Sequence, residues 1–191
     1  MEKFQILLKS LYSKAKDLYV KGSYIESLLL LKNTTDMWQD NSYKARCLML
    51  IGMNYIKTKE FDLAERALLE SVAESLNNPK ILDILGGLYY SLEKYEDADA
   101  VYRAALREDG YNVDFIVKSA RILWKLGDVR RAFKRLKLGY SLDSLDISEE
   151  RKLDKFLLDF IRNSDLPQSY YYLKKIRSWY SNYKKRNDLY F

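Results

Sequence analysis

The chain of 191 residues has no histidine and one cysteine, Cys47. Without histidine it lacks the commonest general base near neutral pH and the commonest zinc ligand. Triad hydrolases and zinc enzymes are therefore disfavoured. A single cysteine cannot close an intrachain disulfide, so no such framework holds the fold. Prolines number only 2 and glycines 7. So few breakers, among Leu-, Ala-, Glu- and Lys-rich segments, favour long helices joined by short turns. No apolar run reaches the ~18 residues of a spanning helix, so no membrane insertion is expected. Phosphate-loop, dinucleotide, nucleophile-elbow and Cys-x-x-Cys motifs are also missing. No enzyme activity, cofactor or metal is expected. Acidic pairs such as Asp97/Asp99 and Glu149/Glu150 read as solvated helix faces.

Hydrophobic residues make up 48% of the chain, enough for a sizeable core. The opening MEKFQILLKSLY reads as an amphipathic helix with Phe4, Leu7, Leu8 and Leu11 on one face. It lacks the apolar run and small-residue site of a secretory leader, so the cytoplasm is the expected compartment.

The stretch LGGLYYSLEKYEDADAVYRAAL, from Leu85 to Leu106, meets copies of itself at an offset of 34 residues. Gly86 aligns with Gly52 and Ala120, Ala98 with Ala64 and Ala132, and Ala105 with Ser71 and Gly139. Bulky places keep step: Tyr89 with Tyr55 and Leu123, Tyr95 with Phe61 and Val129, Tyr102 with Leu68 and Leu136. A first copy, displaced by 37, holds Ala15, Leu18, Gly22, Tyr24, Ser27, Leu31 and Thr34. Its three extra residues fall in WQDNS, read as a turn. Helices approach to about 8 Å only where their contact residues are small, which explains the spacing. Gly22 and Gly127 mark turns inside the repeat. Asn78-Pro79 reads as an N-cap with proline at the first helical position, and Ser23 with Glu26 as a capping box. Gly87 has no place in this scheme.

The pattern resembles the tetratricopeptide repeat (TPR) family, whose unit is a 34-residue helix–turn–helix. The third copy carries the signature as Leu82, Leu85-Gly86, Tyr89, Ala98, Tyr102 and Ala105, with Gly110 where the family has proline. The resemblance implies an all-α fold, a right-handed α-solenoid of TPR hairpins in a single domain over 1–191. Repeats are expected at about 8–44, 45–78, 79–112 and 113–146. A degenerate helix pair over 147–191, its last helix opened by Pro167, would cap the stack. Its eighth place is Asp154, which does not suit close packing.

In TPR folds the first helix of each unit lines a concave groove through places 2, 5, 9 and 12. Carried over, these are Lys9, Tyr12, Lys16 and Tyr19; Arg46, Met49, Met53 and Ile56; Lys80, Asp83, Gly87 and Tyr90; and Asp114, Val117, Arg121 and Trp124. The partner-binding set is expected among them. Tyr and Trp give contact area at low entropy cost, Met adapts, and Arg and Lys attract acidic groups. Gly87 would let a partner backbone come close. The expected partner is a peptide or helix with apolar anchors and some acidic residues. The carboxylate clamp of heat-shock co-chaperones is disfavoured. Its five places hold Tyr12, Lys16, Leu50, Lys80 and Ile84 in one register and Met49, Met53, Ile84, Asp114 and Lys118 in the next.

Charge is uneven: 45–112 carries 8 basic and 12 acidic groups, 113–140 carries 8 and 2, and 166–191 carries 6 and 1. The basic, tyrosine-rich end raises a nucleic-acid alternative. Tyr172, Ile176, Trp179 and Tyr183 instead form a stripe expected to pack on the fourth repeat, with Lys174, Lys175, Arg177, Lys184 and Arg186 solvated around it. The favoured function is protein–protein interaction, as scaffold, adaptor or assembly factor. A small secretion-system TPR chaperone is the second reading, and a nucleic-acid-associated factor the third. A homodimer or larger complex could form through an exposed end.

Overall fold

A computed structural model describes residues 2–142, 145–162, 176 and 178–185. All regular structure among them is helical. Four hairpins follow one another: α1 (Glu2–Val20) with α2 (Tyr24–Lys32), α3 (Asn41–Thr58) with α4 (Phe61–Glu74), α5 (Pro79–Ser91) with α6 (Tyr95–Glu108), and α7 (Val113–Lys125) with α8 (Val129–Tyr140). Then come α9 (Ile147–Arg162) and a helical segment, 178–185. The expected helix start at Pro167 and the tail after Arg186 lie outside the described residues. The fold class is the expected one, all-α with hairpins of TPR type. The chain divides into two compact units, Met1–Glu108 and Asp109–Phe191.

The small places are where the hairpin helices meet. Ala15, Ala64, Ala98, Ala105, Ala120 and Ala132 are completely buried. A Cβ on Gly86 would stand 2.6 Å from Tyr102 Cε2, inside any real contact distance. Where the small place holds serine, the hydroxyl takes a backbone partner. Ser27 donates to the Ala15 carbonyl at 2.8 Å, and Ser71 to that of Ala45 at 2.7 Å.

The turn inside each hairpin has one recurring conformation. Gly22 and Gly127 have φ of 85° and 77°, and the residues in register with them, Lys59 and Glu93, have 64° and 58°. The left-handed residue is therefore built into the repeat, and only two copies use glycine for it. Asn78 caps α5 as expected, accepting from the Lys80 amide at 3.0 Å, with Pro79 at its first position. Asp40, Asn112 and Asp128 cap α3, α7 and α8 in the same way. Ser23 precedes α2 but makes no side-chain cap, so the expected capping box does not form. Asp128 has nearly the same backbone angles and does cap. Its carboxylate reaches one atom further than a serine hydroxyl.

The amphipathic reading of α1 also needs correction. Leu8 is buried and Leu11 half-buried, but Phe4 and Leu7 are exposed. The packing face runs through Leu8 and Ala15, and Phe4 and Leu7 lie beside it.

Candidate functional site

In the first unit the expected lining residues fall on the solvent-facing sides of α1, α3 and α5. Lys9, Lys16, Arg46 and Lys80 are exposed, while Tyr12, Tyr19, Met49, Met53, Ile56, Asp83 and Tyr90 are half-buried. Their spacing of 3 or 4 residues keeps each set on one helical face.

Two of the tyrosines are braced by their own hairpin. Tyr19 packs on Tyr24 and Tyr90 on Tyr95, both with ring centroids 5.6 Å apart. Each pair joins the end of a hairpin's first helix to the start of its second. The rings are held in place while remaining partly open to solvent, the condition for a low-entropy contact.

A denser cluster forms around Tyr43, which the repeat register did not single out. Trp38 stacks on Tyr43 at 4.6 Å and 7°, and Tyr12 meets it edge-on at 6.5 Å. The Lys9 ammonium lies 5.2 Å from the Tyr43 centroid and the Arg46 guanidinium 5.1 Å. Three expected residues are thus brought together by two unexpected ones. Trp38 belongs to WQDNS, so the extra residues do more than turn the chain. They supply a buried indole and, in Asp40, a helix cap. Burial pushes the Tyr12 phenol up from its usual value. Burial also pushes the Cys47 thiol up to about 11, so it stays an unreactive core group.

On α5, Asp83 serves the fold. It accepts the Tyr102 hydroxyl at 2.8 Å. Burial and this carboxylate push the Tyr102 phenol far up, so it keeps its proton. Gly87 is exposed, and a Cβ there would meet nothing within 4 Å. Its neighbour Gly86 is a packing residue, whereas Gly87 is open surface.

In the second unit the corresponding face is largely taken up by α9. The Trp124 ring meets Phe156 at 6.2 Å and Phe160 at 5.2 Å. Arg121 is exposed and lies over Phe156 at 5.5 Å. Asp114 pairs with Lys152 of α9 at 2.9 Å, and Val117, expected on the lining, is buried.

The C-terminal stripe packs on the fourth repeat. Ile176 is buried, and Trp179 meets Phe133 at 5.6 Å and Tyr140 at 5.3 Å. Tyr172, Lys174, Lys175, Arg177 and Arg186 lie outside the described residues. Lys184 is not a solvated bystander. It pairs with Glu150 at 2.8 Å and Asp154 at 2.9 Å. Asp154, unexpected at a small place, also accepts the Tyr140 hydroxyl at 2.7 Å. It substitutes a polar link for close packing. Lys184's hydrogen bonds to the two carboxylates outweigh its desolvation and hold its pKa up.

Among the described residues no group of His, Cys, Asp and Glu is placed to hold a metal ion, and no helix is long and apolar enough to cross a membrane.

The tetratricopeptide repeat family model matches residues 79–112, the α5–α6 hairpin and its following turn. No curated protein matches the chain by sequence. Solved structures do match by fold. A tetratricopeptide repeat protein from Parabacteroides merdae ATCC 43184 aligns with TM-score 0.66 and 17% identity, over 95% of this chain and 75% of its own. MamA RS-1, as the ArsTM double mutant, gives 0.66 and 13% identity over 95% and 96%. MamA MSR-1 C2 gives 0.59 and 18% identity over 95% and 99%. At these identities the likeness concerns the fold. Residues 79–112 are therefore a tetratricopeptide repeat, and the chain, with three hairpins in 34-residue register and a first one displaced by 37, has the fold of tetratricopeptide repeat proteins.

Proposed function

We propose that this chain is a protein–protein interaction module, a scaffold or adaptor that holds a partner peptide or helix on the α1, α3 and α5 face of its first unit. The observation that carries the reading is a combination of side chains. Half-exposed Tyr12, Tyr19, Met49, Met53 and Tyr90 stand among exposed Lys9, Lys16 and Arg46. None of these three cations forms an ion pair with a described residue. Aromatic and Met surface left open supplies affinity, and unneutralised cations steer an acidic partner. Gly87 offers a place where a partner backbone can lie against α5. In the second unit, by contrast, Arg121 and Trp124 both lie against Phe156 of α9.

The test is capture from native lysate with wild type beside a Met49→Lys, Met53→Lys variant whose circular dichroism and melting match wild type. A protein held by wild type and lost by the variant supports the face. The same protein held equally by both would place binding elsewhere.

A further inference from the structure

The Tyr43 cluster has a feature that packing does not require. Elsewhere in this unit Lys44 pairs with Glu74 at 2.6 Å and Lys94 with Glu65 at 2.9 Å, and Lys32 lies alone over the Tyr55 ring at 5.2 Å. Lys9 and Arg46 have only the Tyr43 ring, each about 5 Å from its centroid. The ring itself is fixed, since Trp38 beneath it is only 5% exposed and stacks within 7° of parallel. Two cations from different helices are therefore gathered over one rigid aromatic with no anion supplied by the described residues.

We infer that Lys9, Arg46 and Tyr43 form a seat for one carboxylate side chain of an acidic partner peptide, from which the partner's apolar residues run along α3 onto Met49 and Met53. This rests on the proposed binding face and adds where the partner's charge sits and in what register. A cation held over a ring has its position fixed while its donors stay free for charge-assisted hydrogen bonds to an anion. Arg offers the carboxylate a two-pronged donor and Lys a point charge. Because the ring is already fixed, little ordering remains to oppose binding. A helix rises 1.5 Å per residue, so Met49 and Met53 lie about 4.5 and 10.5 Å along α3 from Arg46. A helical partner lying along α3 then carries its apolar anchors about three and seven positions from the acidic residue.

The experiment is selection of peptides from a displayed random library by three proteins: wild type, K9E/R46E and M49K/M53K. All the substituted side chains are exposed or half-buried, and K9M/R46M serves if charge reversal disturbs folding. Wild type is expected to enrich Asp or Glu about three and seven positions from apolar residues. K9E/R46E should enrich Lys or Arg there with the same apolar spacing, and K9M/R46M should lose the acidic preference. In the best wild-type peptide, Glu→Gln should weaken binding about tenfold on wild type and under twofold on K9M/R46M. Peptides that bind K9E/R46E as well as wild type, yet fail on M49K/M53K, overturn the seat and leave the face standing. Peptides indifferent to all variants overturn both. Phosphoserine in place of Glu binding more than tenfold tighter would overturn the carboxylate assignment.

Discussion

Each unit holds a tryptophan, tyrosines and cations in one cluster, and the two clusters use them differently. In the first, Trp38 and Tyr43 carry Lys9 and Arg46, and no described carboxylate answers these cations. In the second, Trp179, Tyr180 and Tyr183 pack on Tyr140, Lys184 lies over Tyr180 at 5.7 Å, and Glu150 and Asp154 neutralise it. Residue types therefore do not separate a cluster left without a counter-charge from one that has it. What differs is whether a carboxylate of the chain answers the cation, as for Lys184, or none among the described residues does, as for Lys9 and Arg46. A cluster that has its counter-charge is closed and contributes to stability. A cluster that lacks it is open to a ligand that brings the charge.

The comparison breaks most readily at Asp154. Asp154→Ala should destabilise the second unit by about 3 kcal/mol, because it strands the Tyr140 hydroxyl and takes one of Lys184's two partners. Arg46→Ala should change stability by no more than about 0.5 kcal/mol. Denaturant unfolding of both variants, followed by tryptophan fluorescence, checks the contrast. If Arg46→Ala costs as much as Asp154→Ala, the first cluster is also structural.

Adjacent glycines give the next contrast. Gly86→Ala forces a methyl against Tyr102, whose ring is held by Asp83, and should cost about 1–3 kcal/mol. Gly87→Ala meets open space on a helix and should stabilise by up to about 1 kcal/mol while weakening partner binding. Thermal melts with a binding assay separate the two effects.

Alkaline pH should loosen both units. Tyr89, pushed up to about 12 by burial and by Glu65, and Tyr140, pushed further by burial and Asp154, keep their protons when folded. In the unfolded chain they release them near the usual tyrosine value. The folded state then binds more protons, so stability is full below pH 10 and falls as pH rises above it. Tyr140→Phe should lower that slope by about 1.4 kcal/mol per pH unit, measured between pH 10 and 11.5. An unchanged slope would remove Tyr140 from the alkaline transition. The smallest effect expected is at the turns. Glu93→Gly relieves a left-handed glutamate and should stabilise by about 0.5–1 kcal/mol in denaturant melts, where Gly22→Ala should destabilise.

The hairpins were legible because their signals repeat every 34 residues and lie within single helices. Small residues, Asn78-Pro79 and the glycine turns all report local geometry. Lys59 and Glu93 hid the same turn because nothing in their chemistry asks for a positive φ. Much of the candidate face was readable from the first-helix spacing, including Tyr12, Arg46 and the methionines. Tyr43 and Trp38 were not, since they stand at the junction where three extra residues break the register. Lys184 misled because its partners lie 30 and 34 residues away, on α9, and only folding brings them together.

On the proposed reading, the open α1, α3 and α5 face of the first unit receives the partner. Amide hydrogen exchange of the full chain, with and without a peptide selected by wild type, tests it most directly. New protection is expected in Glu2–Val20, Asn41–Thr58 and Pro79–Ser91, with Val113–Lys125 and Ile147–Arg162 unchanged. Protection confined to the second helices of the hairpins, or to the second unit, would contradict it.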